Sequence, residues 1–199
     1  GSEMCIRDRV KDDDVVLNGT KASVMNGDQA DLLVVLARTA GQPGDKEGLS
    51  LFLVDANAEG IERAPHRMVD GRQGAEIRFA DVSVSQDACI GELNKGYDVA
   101  KAVLQEGLLA LSAESVGSMS VLLDDTVEYT KTRKQFGVPI SKFQVLQFRM
   151  TDMFIAMEQT RSLLLASTLK YVEGHADADK AVHATVSYTH LTLPTMFEV

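Results

Sequence analysis

The amino-acid sequence predicts an α+β chain, in which an antiparallel β-sandwich or barrel domain is followed by part of an α-helical bundle. Short β-branched runs, separated by clusters of Gly, Pro and Asp, fill residues 15 to about 93. From about Gly96 onward the apolar residues recur with a helical period instead. Strand candidates without helices between them favour antiparallel pairing over a parallel βαβ sheet.

The strand candidates follow one another with turn signals between them. In VVLNGTKASVM, Asn18-Gly19 separates two β-branched runs, which predicts a β-hairpin turn. Further strands are predicted at DLLVVLA, LSLFLV, AEIRF and VSV, which are residues 31–37, 49–54, 75–79 and 82–84. The segments AGQPGDKEG, DANAEG and DGRQG between them are predicted turns.

Two long helices are predicted after the strands. The first carries an apolar stripe spaced at i, i+3, i+7 and i+11: Val116, Met119, Leu123 and Val127. The second carries a longer stripe: Leu146, Met150, Met153 or Phe154, Met157, Leu164 and Thr168.

The corner between these helices has a purely local interpretation. Gly137 would cap the first helix and Pro139 would block its continuation. Ser141 and Gln144 have the spacing of a capping box, which would open the second helix. Arg133 in the last turn would then favour the negative end of the helix dipole.

Charge and composition exclude several classes of function. A net charge of −9 and a pI near 4.9 argue against a nucleic-acid surface, although a few Arg or Lys can still bind one small anion. No apolar run approaches the roughly 18 residues of a membrane span, and no secretory signal is recognised, so we expect a cytoplasmic protein. Cys5 and Cys89 have no metal or disulfide spacing, and no metal site is predicted.

Both ends of the chain are predicted to be foreign to it. MCIRDR and VSYTHLTLPT resemble translated sequencing-adapter read-through, and the second follows an Ala-rich helical run with which its β-branched composition conflicts. We therefore expect residues 1–9 and 186–199 to be non-native, residues 10–95 to form the β domain and residues 96–185 to form a partial helical bundle. The chain would then be a fragment of a longer protein.

The segment RKQFGVPISKFQVLQFRMTDM, at residues 133–153, resembles the C-terminal-domain signature of the acyl-CoA dehydrogenases. Upstream, NGTKASVMNGDQADLLVVLART, GLSLFLVD, FADVSV and IGELNKGY resemble the middle β domain of that family and its exit into a long helix. The resemblance covers about residues 12–182 and is nearest to the pimeloyl-CoA dehydrogenase small-subunit-like branch.

The resemblance implies FAD as cofactor and a site shared between two subunits of a homo- or heterotetramer. By the motif match, Arg133 would contact the FAD pyrophosphate with Gln135 beside it, and Phe136 would pack near the adenine or ribose end. Gln144 would bind at the same end or, alternatively, serve only as a helix cap. An Arg fork matches phosphate oxygens, which makes the first assignment chemically sensible.

Two further positions are compared with the family. Ser23 and Met25, in KASVMNG, align with the segment beside the flavin ring, or alternatively form only a strand entering a turn at Asn26-Gly27. The resemblance places the helical catalytic glutamate of some members at Gly107, one residue from Glu106. Since one residue turns a helix by about 100°, Glu106 is interpreted as a solvated carboxylate, and no catalytic residue is predicted in this chain.

The implied reaction is the α,β-dehydrogenation of an acyl-CoA thioester in fatty acid metabolism, with electrons passed to an electron-transfer flavoprotein. An alternative is a non-catalytic, FAD-binding structural subunit of a heteromeric dehydrogenase. Gly107, Leu108 and Met25 favour that alternative, because they replace residues that catalytic members use. A third alternative without flavin is a β-sandwich with a helical tail for protein interaction.

Overall fold

The structure is a computed structural model that describes residues 9–11 and 14–186. The predicted foreign ends therefore lie outside the described residues, apart from Arg9 and Val186. The chain divides into two compact units, residues 1–102 and 103–199. The predicted fold class is confirmed, since antiparallel sheets precede long helices.

Two antiparallel sheets form the first unit. One has the strand order β1-β2-β6-β5 and the other the order β3-β4-β7. The strand bounds are β1 Arg9–Lys11, β2 Asp14–Met25, β3 Leu32–Arg38, β4 Leu49–Asp55, β5 Ile61–Arg67, β6 Gln73–Ser85 and β7 Cys89–Ile90. Strands from both sheets contribute to one buried cluster, which includes Leu17, Val35, Phe52, Ile77 and Phe79. The two sheets therefore pack face to face as a sandwich.

The predicted hairpin at Asn18-Gly19 is wrong, because β2 runs through these residues as one strand. The register of β2 against β6 shifts between Leu17 and Gly19, which marks a β-bulge. The Asn18 amide donates to the Asp81 carboxylate at 2.9 Å, and the Asp81 backbone N–H donates back to the Asn18 side chain at 2.9 Å. Asn18 thus bridges two strands instead of turning one.

The segments AEIRF and VSV are likewise parts of one strand. β6 is continuous, but its buried side alternates out of phase before and after Asp81. Asp81 has a φ of 52°, so it inserts the extra residue that changes the phase. The sequence suggested two strands because the apolar alternation breaks at this point.

Two long helices follow the strands, α1 (Gly96–Thr132) and α2 (Gln144–Val172), with a helical segment over residues 178–186 after them. The second unit begins within α1, at Val103. The buried cluster between α1 and α2 consists of Met119, Leu123, Met153 and Met157. This confirms the predicted stripes and selects Met153 over Phe154, which is 51% exposed.

The α1–α2 pair is antiparallel. Thr130 near the end of α1 donates to the Met150 sulfur near the start of α2 at 3.5 Å, and Tyr171 near the end of α2 donates to Glu106 at 3.2 Å. The segment over residues 178–186 is joined to α2 by a hydroxyl contact of 2.7 Å between Ser167 and Thr185.

Of the helices among the described residues, α1 is long and apolar enough, by length and composition, to cross a membrane. One such helix is weak evidence, because core helices of water-soluble proteins pass the same test. Glu106 and Glu114 lie between its apolar residues, and we assign it no membrane role.

Candidate functional site

The corner between α1 and α2 is a two-residue β-hairpin. Its strands are β8 (Lys134–Gln135) and β9 (Val138–Pro139), and they pair antiparallel. The turn residues Phe136 and Gly137 have φ values of 52° and 80°. Positive φ at both positions is what a type I′ turn requires. The predicted helix cap at Gly137 is therefore wrong, because α1 has already ended at Thr132.

The predicted capping box of Ser141 and Gln144 is also wrong. A 3₁₀ turn over Ile140–Lys142 precedes α2 and moves its N-cap to Phe143, where no side chain makes a capping hydrogen bond. The Ser141 carbonyl instead accepts a hydrogen bond from Gln147 at 2.9 Å. Gln144 is exposed, and its side chain makes no hydrogen bond within the described part of the chain. Its alternative role as a helix cap is thereby removed.

Phe136 is held in a conformation that large side chains avoid. A left-handed φ costs a residue with a Cβ about 1–2 kcal/mol, and Asn or Gly ordinarily occupies this position of a type I′ turn. The side chain is nevertheless 92% exposed, so its own burial does not offset that cost. Strain of this kind is found where the conformation serves binding.

Arg133 and its neighbours make this corner cationic. Residues 129–151 contain Lys131, Arg133, Lys134, Lys142 and Arg149 and no acidic residue, within a chain of net charge −9. Lys131 pairs with Glu128 at 2.6 Å, whereas the other four form no ion pair within the described residues. Arg133 and Gln135 are both exposed beside the hairpin turn. The corner thus presents cations, an amide and an aromatic ring to any anionic aromatic ligand.

The second group of predicted site residues lies in the first unit, at the end of β2. The pairing of β2 with β6 shifts between Lys21 and Val24, and Ser23 adopts a φ of 53°. This bulge leaves Ser23 exposed, and Met25 is 61% exposed. The predicted strand is therefore present. Its local distortion lies at Ser23, which was aligned with the family segment beside the flavin ring.

Glu106 forms a hydrogen bond with a residue of α2. It is exposed on α1 and accepts a hydrogen bond from the Tyr171 hydroxyl at 3.2 Å. Partial burial raises the pKa of Tyr171, and the hydrogen bond and negative charge of Glu106 raise it further. Next to it, a Cβ placed on Gly107 would meet no atom within 4 Å. The position is therefore open to a side chain, but no carboxylate is present there.

A cleft in the first unit was missed by sequence reasoning. It has a volume of about 1360 Å³ and lies between the β3–β4 loop and the start of α1. Its lining carries both signs of charge and one aromatic ring: Lys46, Lys95, Lys101, Asp45, Glu47, Asp98 and Tyr97. The Lys46 ammonium lies 5.7 Å from the centre of the Tyr97 ring. The segments AGQPGDKEG and NKGYDVAK carried this signal, which was interpreted only as a turn and a helix start.

Comparison with protein families decides the relationship. The model of the acyl-CoA dehydrogenase C-terminal domain matches residues 94–193, and that of the middle domain matches residues 2–82. The chain belongs to the acyl-CoA dehydrogenase family. The two matched ranges are separated by residues 83–93, and the second begins just before α1 starts at Gly96.

Two relatives are each about one third identical in sequence to this chain. A short-chain-specific acyl-CoA dehydrogenase of Megasphaera elsdenii is 33% identical over 169 residues, which are 82% of this chain and 44% of that protein. The caffeyl-CoA reductase–Etf complex subunit CarC of Acetobacterium woodii is 32% identical over 168 residues, which are 83% of this chain and 44% of that subunit. The chain thus spans less than half of either relative.

Solved structures share the fold. The structure of PigA with FAD and proline superposes with a TM-score of 0.89 at 27% identity, covering 98% of this chain and 52% of that one. This chain therefore corresponds to about half of that structure.

Proposed function

We propose that this chain is part of an FAD-dependent acyl-CoA dehydrogenase that catalyses α,β-dehydrogenation of an acyl-CoA thioester. The observation that carries the proposal is the strained and exposed Phe136 at the tip of the β8–β9 hairpin, with the exposed Arg133 directly before β8. A guanidinium binds pyrophosphate oxygens in a fork, and an exposed ring packs on an adenine or ribose. The residues present therefore fit one end of FAD.

We further propose which residues hold the cofactor. Arg133, Gln135, Phe136 and Gln144 would bind its nucleotide end, and the exposed segment at Ser23 and Met25 would lie beside the flavin. Bound FAD supplies the acceptor for the hydride that leaves the thioester, while the protein orients and shields the reactants. PigA, solved with FAD, supports a flavin in this fold.

The cleft between the β3–β4 loop and α1 supports a CoA thioester as substrate. The ammonium of Lys46 beside the ring of Tyr97 is chemistry that binds a phosphorylated nucleotide, although three carboxylates also line the cleft and Lys95 is paired with Glu92. Megasphaera elsdenii dehydrogenase and CarC have names that refer to acyl-CoA and caffeyl-CoA, which agrees with that substrate class. The acyl group itself is not assigned.

Partner subunits form part of the proposal. Phe148, Ile155 and Leu169 are exposed on the face of α2 opposite its buried methionines, and Leu165 and Val172 are exposed on its flank. Exposed large apolar side chains on one helix are typical of a protein contact, which supports a second subunit sharing the FAD site. CarC is named as a subunit of an Etf complex, which supports an electron-transfer flavoprotein as electron acceptor. The cytoplasmic location stays a prediction.

A non-catalytic FAD-binding subunit is the second candidate. Open space without a carboxylate at Gly107, with Glu106 bonded to Tyr171, favours it. Anaerobic addition of acyl-CoA to the purified parent protein separates the two. Bleaching of bound flavin identifies a dehydrogenase, bound flavin that does not bleach identifies the non-catalytic subunit, and absence of flavin contradicts both.

A further inference from the structure

Arg38 bonds to both limbs of the β3–β4 loop, the loop that forms one wall of the cleft. Its Nη1 donates to the carbonyl oxygens of Ala40 at 3.2 Å and Glu47 at 3.1 Å, and its Nη2 donates to the carbonyl oxygen of Asp45 at 2.7 Å. One guanidinium thereby satisfies three main-chain acceptors in a loop that has no ladder of its own. A Lys at this position would donate from one nitrogen only and would lack the planar fork of a guanidinium.

The base of the same loop is closed tightly. The backbone N–H groups of Thr39 and Ala40 both donate to the Gly48 carbonyl, at 2.8 and 3.1 Å. Gly48 has a φ of 79°, and a Cβ there would lie 2.2 Å from the Ala40 carbonyl oxygen. The limbs of the loop therefore converge at a point where only glycine fits.

A hydrogen-bond network joins this base to the segment that leads into α1. Thr39 Oγ1 lies 2.6 Å from Ser50 Oγ and 2.7 Å from Asn94 Oδ1, and the Asn94 N–H donates to Ser50 Oγ at 2.7 Å. The Gly48 N–H donates to the Asn94 carbonyl at 3.3 Å. Both walls of the cleft are thus tied together at its base.

The Arg38 Nε is buried and makes no hydrogen bond within the described residues, so the loop is held by the three bonds of Nη1 and Nη2. The loop that they fix carries Lys46 opposite Tyr97 on the other wall of the cleft.

We propose that Arg38 is a positioning residue for the cleft, which fixes the loop wall before a ligand binds and thereby sets the affinity for the nucleotide end of the thioester. This rests on the proposed function as a CoA-thioester dehydrogenase. Binding to a loose loop loses affinity because the loop must be ordered at the same time, so fixing it in advance strengthens binding. Arg38 acts through the loop and need not touch the ligand.

The test compares Arg38→Lys with Arg63→Lys in the FAD-loaded parent protein. Arg63 is a matched control, because its guanidinium also holds main-chain carbonyls, those of Asp28 at 3.4 Å and Ala30 at 3.1 Å, and it does not line the cleft. The measurements are the Kd for adenosine 3′,5′-bisphosphate, amide hydrogen exchange in residues 40–48, and KM for an acyl-CoA and for the same acyl group on pantetheine.

We expect Arg38→Lys to weaken bisphosphate binding about tenfold, to speed exchange in the loop and to raise KM for acyl-CoA but not for acyl-pantetheine. Arg63→Lys should change none of these. Unchanged bisphosphate binding in the Arg38 variant, equal losses in both variants or equal KM changes for both thioesters would overturn the proposal. If the parent protein holds no flavin and shows no turnover, but the Arg38 variant still loses bisphosphate affinity, only the proposed function is overturned. The role of Arg38 in the cleft would then stand.

Discussion

Phe136 and Phe143 meet edge to face, with ring centroids 6.3 Å apart and ring planes at 85°. The contact joins the tip of the β8–β9 hairpin to the N-cap of α2, and edge-to-face pairs of this kind are favourable. Because Phe136 is nevertheless 92% exposed, the contact orients the ring and leaves most of its surface open. The hairpin therefore presents an oriented aromatic side chain.

Replacement of Phe136 separates backbone strain from ligand binding. Phe136→Leu removes the aromatic contact and keeps the strained φ, whereas Phe136→Asn removes the contact and suits the left-handed conformation. We expect the Asn variant of the parent to unfold with a free energy about 1 kcal/mol higher than that of the Leu variant. Denaturant titration measures this difference.

Both Phe136 variants should retain less FAD than the unaltered parent, because both lose the exposed ring. A Leu variant at least as stable as the Asn variant would contradict the strain. Full flavin retention in both would contradict the assignment of Phe136 to the cofactor.

Arg133→Ala should weaken FAD binding in the parent while the fold persists. Loss of a hydrogen bond to a charged group costs about 1.5–3 kcal/mol, which corresponds to roughly 10- to 150-fold in Kd. Flavin fluorescence titration measures the Kd, and the thermal midpoint reports the fold. Arg67→Ala is the charge-matched control, since Arg67 lies at the end of β5 in the other unit. Equal flavin affinity in the two variants would remove Arg133 from the site.

The sequence predicted the order of strands and helices better than the turns that connect them. The stripes at Met119, Leu123, Met153 and Met157 were recognisable, because burial repeats with the helical period over many turns. β5 was missed, since IERAPHR is charged and contains Pro65. Such a segment is tolerated because β5 is an edge strand, where a missing donor faces no neighbour.

The break between the two long helices at residues 133–144 was predicted, but the hairpin that forms it was not. Gly137 and Pro139 signal a break in any helix, and a hairpin and a helix cap both use a glycine with positive φ. What decides between them is the pairing of β8 with β9 and the aromatic contact of Phe136 with Phe143, and neither follows from the type of a single residue. The cleft beside Lys46 depends likewise on segments about 50 residues apart in the sequence.

Glu106→Gln should leave turnover of the parent nearly unchanged. Glu106 is exposed and bonded to Tyr171, which is a structural contact between the first third of α1 and the end of α2. Steady-state turnover with saturating acyl-CoA measures the effect, and Glu114→Gln on the same helix is the control. A loss of several orders of magnitude in the Glu106 variant alone would make Glu106 the catalytic base.

The pH dependence of stability should carry a contribution from Tyr171. Its pKa is raised above the ordinary value of 10.0 by burial and then by Glu106, so the folded chain favours the neutral phenol. That contribution is fully present below the unfolded pKa and is lost as the pH rises through the folded pKa. Denaturant midpoints above about pH 10 should therefore fall more for the unaltered chain than for Tyr171→Phe. Parallel curves would contradict the shift.

The 199-residue chain by itself should neither hold FAD tightly nor oxidise acyl-CoA. The residues assigned to the cofactor are exposed groups, and they are divided between two units. An exposed Arg fork in water gains little from phosphate, because solvent screens the attraction unless other groups close the site. Incubation with excess FAD, desalting and the ratio of flavin to protein absorbance measure retention, with the parent as the reference. Stoichiometric flavin on the isolated chain would show that these exposed groups suffice, and would place the whole cofactor site within one copy.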